Sequence, residues 1–435
     1  MNLITIANSE NEYLTALKQS AEKHGCMLHI IQTDWKGFGT KVIELRKFLL
    51  TVTFDHFIFV DAYDTLIVSK PNYNGKDIIF SCEKHKWPDR DAPYKETEHV
   101  WQYLNSGSFA APVAEYLALT DKYPIDYADD DQRYYTQIFL QGGIKLDYEC
   151  KLFQSMAFEE PGDFSLTPFK NNITNSTPSI LHFNGKCHNK ALYNMNKFDS
   201  IKSVKDYWKD TPEIHKEIHE GFIELVNAMP ELKAHRDFVE SNIHGFGERS
   251  FLWMWWLIVL DMPKEFTFLE IGVFKGQTLS LVELIAKMQG KSAKRYGVTP
   301  LSTEGGVWES DYKADIETIH RVFDLPNNYE LLVGLSEDEG IIKKAGKLKL
   351  DILYIDGGHE YRHIKSDFEN YSHLVKTNGL LVVDDCANNF KMPFGYFQGI
   401  ETVTRYIDEV LPPLAGSSDW EFEFSVVHNR VFRRK

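Results

Sequence analysis

Short apolar runs that end in aspartate recur in both halves of this 435-residue chain. An apolar run followed by an acidic turn is typical of a buried strand whose carboxyl end opens on a ligand site in an α/β sheet. Carboxylate oxygens at that edge are hard donors that suit Mg²⁺ or Mn²⁺. The pattern therefore predicts α/β domains with divalent-cation sites at strand ends. The runs are Phe57–Val60 before Asp61 and Asp64, Asp351–Ile355 before Asp356, and Leu380–Val383 before Asp384 and Asp385.

The length and composition of the chain predict two folded domains. Its 435 residues exceed the roughly 100–200 residues of an ordinary domain, and 43% of them are hydrophobic and 14% aromatic. That apolar content is enough to build a core in each domain. The net charge of -15 at pH 7 opposes non-specific binding to nucleic acid or to an anionic membrane surface. We therefore expect no nucleic-acid partner, and no oligomeric state is indicated.

Cysteine usage and the N-terminus favour a reducing, cytoplasmic setting. The five cysteines are scattered and form no C-x-x-C pair, so neither a disulfide framework nor a zinc site is indicated. Met1–Thr5 lacks the basic region and the apolar core of a secretion signal. The most apolar window, Phe251–Leu260, is about half of the roughly 20 residues that span a bilayer, so it predicts a buried helix and no membrane span. A membrane-surface role for its three tryptophans is the alternative.

Hydrophobic periodicity divides the chain into two α/β domains and a helical connector. Residues 1–190 and 245–435 alternate β-rich runs with helical stretches, whereas 191–244 is charged, helix-compatible and free of β-rich runs. The second α/β domain is predicted to form a doubly wound parallel sheet of the Rossmann-like kind. The clearest predicted elements are strands at Leu3–Ala7, Phe57–Val60, Phe266–Ile271, Arg295–Val298, Tyr329–Val333, Asp351–Ile355 and Leu380–Val383, and helices at Tyr13–Lys23 and Gln277–Lys287.

The N-terminal aspartates are followed by motifs in a distinctive order. Taken alone, the spacing of Asp61 and Asp64 fits either a metal site or a pair of turn-capping aspartates. The motifs are Phe80–Pro88, Tyr103–Phe109, Asp129–Thr136, Leu146–Asp147, Phe153–Gln154 and His182–Gly185. This series resembles the glycosyltransferase domain of the procollagen lysyl hydroxylases and their relatives, from about Ile4 to Lys186. The resemblance implies a GT-A-like, Rossmann-like fold and metal-dependent transfer of a sugar from a UDP-sugar to a glycan or glycoconjugate acceptor.

The same resemblance implies a role for each matching residue. Only the sugar-transfer chemistry carries over, because nothing downstream resembles the oxidative domain of the lysyl hydroxylases, so collagen is not implied as the acceptor. The implied roles are Mn²⁺ ligation by Asp61, Asp64 and His182, nucleotide contact by Lys41 and Tyr63, diphosphate binding by Asn184 and Gly185, and a donor-sugar and acceptor pocket lined by Trp87, Asn105, Ser106, Gly107 and the catalytic candidates Asp130 and Asp131.

Several of these residues also have an interpretation that needs no ligand. Trp87 fits a core residue, Asp129–Asp131 fits a solvated helix start, and His182 fits a structural histidine. The chain also departs from the family, which has His-Gly-Asn-Gly-Pro where this chain has His182-Phe-Asn-Gly-Lys186. We interpret Lys186 as an additional phosphate contact.

The C-terminal half contains a glycine turn and two strands that end in acid. Glu270, Gly272 and Gly276 lie between a predicted strand and a helix start, a pattern that also fits another nucleotide loop or a plain tight turn. Ile364, Phe368, Tyr371 and Val375 predict an amphipathic helix closed by Asn378–Gly379. A right-handed crossover through that helix sets the flanking strands side by side or nearly so, about 4.8 Å apart if they are adjacent. Asp356, Asp384 and Asp385 therefore converge, and a shared cation offsets their repulsion; capping of the next loop by the last two is the alternative.

From about Gly245 to Pro412 the chain is similar to the class I methyltransferases, and within them to the metal-dependent sugar O-methyltransferases of macrolide biosynthesis. The resemblance implies S-adenosylmethionine as methyl donor and Mg²⁺ or another divalent cation. Where relatives have an acidic ribose ligand this chain has Thr299, and the Ser336–Glu339 loop is the predicted adenine rim. The implied roles are cation binding by Asp356, Asp384 and Asp385, general base catalysis by His359, and cofactor binding by Glu270, Gly272, Gly276 and Thr299.

The leading hypothesis is a bifunctional enzyme of glycan assembly that transfers a sugar and methylates a sugar hydroxyl. One alternative is a glycan-binding or scaffold protein in which a domain has lost catalysis. A second alternative is a small-molecule O-methyltransferase with an accessory sugar-binding domain, because catechols also offer vicinal hydroxyls to a metal.

Overall fold

The structure, a computed structural model, describes residues 1–159, 163–166, 169–185, 190–302, 310–412 and 417–435. Its internal contacts divide the chain into two compact units, Met1–Asn196 and Lys197–Lys435. Most of the segment predicted as a connector, 191–244, lies within the second unit. The domain boundaries at 190 and 245 stay predictions.

The first unit alternates strands and helices, and the predicted elements near its N-terminus are present. Its first helix begins where the Asn11 side chain accepts a hydrogen bond from the backbone N–H of Leu14. Its elements are β1 Asn2–Ala7, α1 Glu12–Lys23, β2 Met27–Gln32, α2 Thr40–Leu49, β3 His56–Val60, β4 Thr65–Ile67, β5 Ile79–Glu83, β6 Tyr103–Pro112, α3 Val113–Lys122, α4 Asp131–Leu140, β7 Lys145–Leu146, β8 Phe153–Ser155, β9 Phe164–Leu166, β10 Phe169–Asn171, β11 Ile180–His182 and α5 Lys190–Lys197.

A mixed six-stranded sheet forms the centre of the first unit, in the strand order β2-β1-β3-β6-β5-β7. β1 and β3 are parallel, whereas β6 runs antiparallel to β3. Phe57 and Phe59 of β3 pack in one apolar cluster, and Ile58 and Val60 pack in a second one. Because successive side chains point to opposite faces, both faces of β3 are buried and the strand is a continuous apolar run. The run ends at the edge of the core, where Asp61 follows.

The second unit begins with helices and continues as an α/β sheet. Its elements are α6 Ile201–Tyr207, α7 Pro212–Ala228, α8 Pro230–Asn242, α9 Ser250–Asp261, β12 Glu265–Ile271, α10 Gln277–Met288, β13 Ser292–Thr299, α11 Tyr312–Val322, β14 Tyr329–Val333, α12 Glu339–Ala345, β15 Leu350–Ile355, α13 Tyr361–Tyr371, β16 Val375–Val383, α14 Glu401–Val410, β17 Trp420–Val426 and β18 Asn429–Arg434.

The seven-stranded sheet of the second unit has the order β14-β13-β12-β15-β16-β18-β17. The first five strands of this order, β14, β13, β12, β15 and β16, are parallel to one another, which confirms the predicted doubly wound parallel sheet. β15 and β16 are direct neighbours, so the strands that precede Asp356 and Asp384 end side by side. β18 runs antiparallel to β16, and β17 runs antiparallel to β18.

The helix after β15 ends earlier than its spacing predicted. We expected one helix through Val375, closed by Asn378–Gly379, but α13 ends at Tyr371 and a 3-10 turn covers Ser372–Leu374. Val375 already pairs with Leu350 in the sheet. The long-range ladder between two buried strands therefore overrides the local helical periodicity.

The predicted apolar helix is confirmed as α9, whose side chains from Ser250 to Val259 are buried. The indole N–H of Trp253 donates to the carbonyl of Phe198 at 3.1 Å, so the polar edge of this tryptophan is satisfied inside the unit. Within the described ranges, no helix combines the length and the apolar character needed to cross a bilayer.

Buried His235 makes the stability of the second unit sensitive to acid. Its Nε2 lies 2.9 Å from Ser280 Oγ, and burial lowers its pKa to about 3 from the ordinary value of 6.5. Between those values the unfolded chain binds a proton that the folded unit excludes, so stability falls as the pH drops below 6.5, by about 1.4 kcal/mol per pH unit. We expect His235→Gln to reduce the slope of the unfolding free energy against pH, measured by urea unfolding, by the amount that corresponds to about one bound proton. An unchanged slope would contradict this assignment.

Candidate functional sites

The first cluster forms where three strands of the first unit end or begin. Asp61 follows β3, Asp64 precedes β4, and His182 is the last residue of β11, which pairs antiparallel with β4 so that His182 lies opposite Thr65. His182 Nε2 is 3.3 Å from Asp64 Oδ2 and 3.6 Å from Asp61 Oδ2. One ligand atom from each of the three residues lies within 4.8 Å of the others. The structure therefore brings the three predicted Mn²⁺ ligands together.

Asn105 sets the orientation of His182. His182 Nδ1 is 2.8 Å from Asn105 Oδ1, which also accepts from the backbone N–H of Gly107 at 3.1 Å. Because an amide oxygen only accepts, Nδ1 carries a proton, and Nε2 is the ring nitrogen that faces the aspartates. Within the described residues the buried Nε2 has no hydrogen-bond partner. Two carboxylates and one free imidazole nitrogen fit a divalent transition cation.

The carboxylates of the cluster favour the protonated forms of His182 and of the neighbouring Lys41. Burial opposes a proton on His182, but the charges of Asp64 and Asp61 outweigh it and raise its pKa. Lys41 Nζ lies 2.8 Å from Asp61 Oδ1 and 3.2 Å from Asp131 Oδ2. Burial also opposes the charge on Lys41, but the two carboxylates raise its pKa, so the ammonium persists. A fixed positive charge thus lies beside the cluster, where an anionic ligand would approach.

Asp130 and Asp131 have different environments. Asp130 caps α4, since its Oδ1 accepts from the backbone N–H of Arg133 at 2.8 Å. This matches the interpretation as a helix start. Asp131 is only 3% exposed and faces Lys41, so it is not a solvated residue. Of the two predicted catalytic aspartates, Asp131 is the one that the structure links to the cluster, through Lys41, which pairs with both Asp131 and Asp61.

Glu83 connects the polar residues of the pocket, and the sequence analysis gave it no role. Its Oε1 accepts from Gln132 Nε2 at 2.6 Å, and its Oε2 accepts from Asn184 Nδ2 at 3.0 Å. Asn105 Nδ2 lies 3.5 Å from Oε1, and Gln132 Oε1 accepts from the backbone N–H of Ser106 at 3.2 Å. Burial raises the pKa of Glu83 to about 6. The signal was present, because Glu83 ends the apolar strand β5 as Asp61 follows β3.

The other predicted residues of the first site lie at the surface or beyond the described ranges. The Tyr63 hydroxyl is 2.9 Å from the backbone nitrogen of Asn8. Trp87 is 60% exposed, so the alternative interpretation as a core residue is wrong. Gly185 has φ +73° and open space at its Cβ position. Lys186 lies outside the described residues.

Gly107 allows the imidazole to reach the cluster. A Cβ at this position would lie 2.0 Å from Cε1 of His182, whose ring is buried and held by Asn105. We therefore expect Gly107→Ala to displace the imidazole and to weaken Mn²⁺ binding to the first unit by about 10-fold or more, measured by calorimetry. Gly142→Ala is the control, because its Cβ would meet nothing within 4 Å. Equal Mn²⁺ affinities in the two variants would contradict the prediction.

The second cluster forms where β16 and β18 meet. Asp384 and Asp385 follow β16, and His428 directly precedes β18, whose Arg430 pairs with Val383. His428 Nε2 lies 3.3 Å from Asp384 Oδ1, and His428 Nδ1 lies 3.7 Å from Asp385 Oδ1. These three residues offer ligand atoms within 4.8 Å of one another. His428 was not predicted from the sequence, because its position depends on the register of the β17–β18 hairpin.

Asp356 lies next to this cluster. The Tyr354 hydroxyl is 3.2 Å from Asp356 Oδ2 and 3.0 Å from Asp384 Oδ2, so it bridges the two carboxyl groups. Burial, followed by the charge of Asp384, raises the pKa of Asp356 far above its ordinary range. His359 Nε2 is 3.3 Å from Asp385 Oδ2, and its side chain is 46% exposed. The structure thus places all four predicted residues at one sheet edge, while their roles stay predictions.

A cavity of about 420 Å³ opens beside the second cluster. Burial raises the pKa of Glu270 to about 8, although it accepts hydrogen bonds from Thr278 and from the N–H of Leu279. The Thr299 hydroxyl lies outside the lining and accepts from the N–H of Leu301 at 3.0 Å, so its ribose contact stays a prediction. The lining is His244, Gly245, Phe246, Gly247, Glu248, Phe251, Glu270, Gly272, Phe274, Gln277, Thr278, Tyr354, Asp356, His359, Asp384, Asp385, Phe397 and His428.

Comparison with protein families agrees with this division into two sites. Residues 1–206 match the family described as the PLOD GT domain, and residues 269–386 match the family described as a methyltransferase domain. One segment of the chain thus matches a PLOD GT domain, and a separate, later segment matches a methyltransferase domain. Both recognised resemblances are therefore confirmed.

Two of the curated relatives are procollagen lysine hydroxylases. The multifunctional procollagen lysine hydroxylase and glycosyltransferase LH3 of Rattus norvegicus is 29% identical over 218 residues, which cover 42% of this chain and 29% of the rat protein. The procollagen-lysine,2-oxoglutarate 5-dioxygenase of Drosophila melanogaster is 34% identical over 151 residues, which cover 29% of this chain and 21% of the fly protein. The matched segment therefore spans less than a third of each relative's length.

Solved structures of methyltransferases are similar to part of the chain. The O-methyltransferase NovP is 16% identical with a TM-score of 0.32, and the alignment covers 57% of this chain and 99% of NovP. MycE methyltransferase from the mycinamycin biosynthetic pathway, solved with Mg, SAH and mycinamycin VI, is 16% identical with a TM-score of 0.30, covering 47% of this chain and 53% of MycE.

Proposed function

We propose that the chain is a bifunctional transferase of glycan assembly. Its first unit transfers a sugar from a nucleoside diphosphate donor such as a UDP-sugar, and its second unit transfers a methyl group from S-adenosylmethionine to a sugar hydroxyl. The observation that carries the proposal is that each unit holds two aspartates and a histidine at strand ends with ligand atoms within 4.8 Å. We also propose a glycan or glycoconjugate acceptor and a cytoplasmic location.

In the first unit, Asp61, Asp64 and His182 would hold a divalent cation, for which we propose Mn²⁺. Such a cation neutralises charge on the departing diphosphate when it is bound. Lys41 supplies a second positive charge beside it. Glu83 holds Asn184 and, through Gln132, the backbone of Ser106, which orients the polar groups that face the donor. Because these side chains are fixed before the donor arrives, binding costs little reorganisation.

In the second unit, Gly272 of the glycine turn and Glu270 line the cavity proposed for S-adenosylmethionine, whereas Gly276, also predicted to bind the cofactor, is not part of the lining. Asp384, Asp385 and Asp356 would hold a divalent cation, which lowers the pKa of a bound sugar hydroxyl. His359 is half-exposed at the mouth of this cluster and is suited to remove the hydroxyl proton as general base. S-adenosylmethionine would supply the methyl group to the deprotonated oxygen and would leave as S-adenosylhomocysteine.

The proposal is tested on the full chain with a panel of UDP-sugars, Mn²⁺ and S-adenosylmethionine. We expect both nucleotides to bind by calorimetry, UDP to be released from one donor, and a mass gain of one methyl group on a sugar acceptor. Asp64→Asn should stop only the first reaction and His359→Gln only the second. Binding of neither nucleotide would refute the proposal, while methylation of catechols alone would favour a small-molecule methyltransferase.

A further inference from the structure

His428 differs from the nearby His359 in its burial and in what its ring faces. It is 6% exposed, with Nε2 3.3 Å from Asp384 Oδ1 and 3.6 Å from Glu248 Oε2, and Nδ1 3.7 Å from Asp385 Oδ1. Within the described residues, the buried Nδ1 of His428 and Oδ1 of Asp384 have no hydrogen-bond partner. Both ring nitrogens therefore face carboxylate oxygens without forming a hydrogen bond.

That arrangement needs a positive charge. A neutral imidazole has one N–H and one lone pair, and carboxylates only accept hydrogen bonds, so one ring nitrogen directs a lone pair at anionic oxygens. The repulsion is relieved by a metal cation between the groups or by a second proton on the ring. Carboxyl groups of Asp384, Asp385 and Glu248 all face this one ring, and a divalent cation is the group that binds carboxylate oxygens together with an imidazole nitrogen.

The backbone and a neighbouring ring hold His428 in place. The N–H of Cys386 donates to the carbonyl of His428 at 2.7 Å, which ties the hairpin to the segment after β16. The Phe397 ring lies edge-on to the imidazole, with centroids 5.1 Å apart and planes at 88°. A side chain fixed in this way is a preformed ligand position, since little rotamer freedom is lost when a cation binds.

We propose that His428 provides a nitrogen ligand in the second unit and that the site therefore selects a first-row transition cation, such as Mn²⁺, Co²⁺ or Zn²⁺, over Mg²⁺. Mg²⁺ binds oxygen ligands in near-octahedral geometry, whereas imidazole suits the later transition cations. The three aspartates predicted from the sequence offer only oxygen ligands. His428 adds a nitrogen ligand to that set. This inference deepens the proposed function because it rests on a cation at Asp384 and Asp385, but it does not require methyl transfer.

The test uses the full chain with Asp61→Asn and Asp64→Asn, so that the first cluster and its His182 do not bind the probe. Metal is removed with a chelator, and Mn²⁺ and Mg²⁺ are titrated by calorimetry. Pulsed EPR of the Mn²⁺-loaded protein then reports whether nitrogen is coordinated. We expect one Mn²⁺ per chain with a ¹⁴N coupling. In His428→Gln we expect that coupling to vanish and Mn²⁺ affinity to fall by about 10-fold or more, with Mg²⁺ affinity little changed.

His359→Gln in the same background is the matched control, since His359 also lies 3.3 Å from an aspartate of the cluster. We expect it to keep the ¹⁴N coupling, and because it leaves His428 intact it tests the inference even if His428→Gln does not fold. A coupling lost in His359→Gln, a coupling retained in His428→Gln, or equal affinity for Mg²⁺ and Mn²⁺ would overturn the inference. If the ¹⁴N coupling were present but S-adenosylmethionine did not bind, the proposed methyl transfer would be refuted and the inference about His428 would stand.

Discussion

Asp64→Asn is expected to lower the release of UDP from the donor sugar by at least about 100-fold, while methyl transfer stays at the wild-type rate. The substitution keeps the shape of the side chain and removes one anionic oxygen from the cluster with Asp61 and His182. Losing a ligand weakens the binding of the cation. The departing diphosphate is then stabilised less. That stabilisation is worth several kcal/mol in metal-assisted transfer, and about 1.4 kcal/mol corresponds to each tenfold in rate.

The same substitution should not destabilise the first unit when no metal is present. Burial raises the pKa of Asp61, and the like charge of Asp64 adds to that rise, whereas Lys41 opposes it. Removing one of the two like charges relieves the repulsion between them. We therefore expect added Mn²⁺ to raise the melting temperature of the wild-type chain and to leave that of Asp64→Asn unchanged.

Asp77→Asn is the matched control for this experiment. Asp77 has a side-chain exposure of 37%, close to the 35% of Asp64, but it pairs with Lys145 at 2.8 Å rather than with the cluster. We expect the control to keep both donor turnover and Mn²⁺ stabilisation. If the two variants behaved alike, the first cluster would not be the metal centre of sugar transfer.

Gly272→Ala is expected to destabilise the second unit by about 3–5 kcal/mol and to abolish S-adenosylmethionine binding. Gly272 has φ +97°, and a Cβ there would lie 1.9 Å from the carbonyl oxygen of Asp356. This neighbour is backbone, so it cannot rotate away. Relief requires β12 and β15 to separate at their carboxyl ends, where Glu270 and Asp356 line the cavity.

Gly290→Ala is the control that measures the cost of a left-handed backbone conformation without a steric clash. Gly290 also has a positive φ, +66°, but a Cβ there would meet nothing within 4 Å. We expect this control to lose only about 1–2 kcal/mol, the usual cost of a left-handed alanine, and to bind S-adenosylmethionine normally. The comparison is made by urea unfolding and by calorimetry. Similar losses in both variants would show that the close approach to Asp356 is not the cause.

Local sequence patterns predicted the strands and the acidic residues at their ends. The run Phe57–Val60 is apolar because both faces of β3 are buried, so its end marks the edge of a core. Crossover geometry predicted that β15 and β16 are parallel and adjacent or nearly so, and the structure pairs them directly. In both cases the physics acts within one strand or one βαβ unit, which a single sequence records.

Features set by long-range pairing were not predictable in the same way. His428 reaches Asp384 only because β18 lies antiparallel to β16, and no periodicity near His428 encodes that register. The early end of α13 at Tyr371 has a similar origin, since Val375 is taken into the sheet. Glu83 is a different case. It ends the strand β5, and that position alone predicts a buried carboxyl group with hydrogen-bond partners.

The position of β18 also bears on how the protein is made. β18 follows every other strand of its sheet along the chain, yet it lies between β16 and β17. During synthesis the ribosome must release residues 429–434 before that gap in the sheet is filled. His428 therefore joins Asp384 and Asp385 only at that stage, whereas the first unit, whose strands are all complete by His182, is free to fold while the second is still emerging.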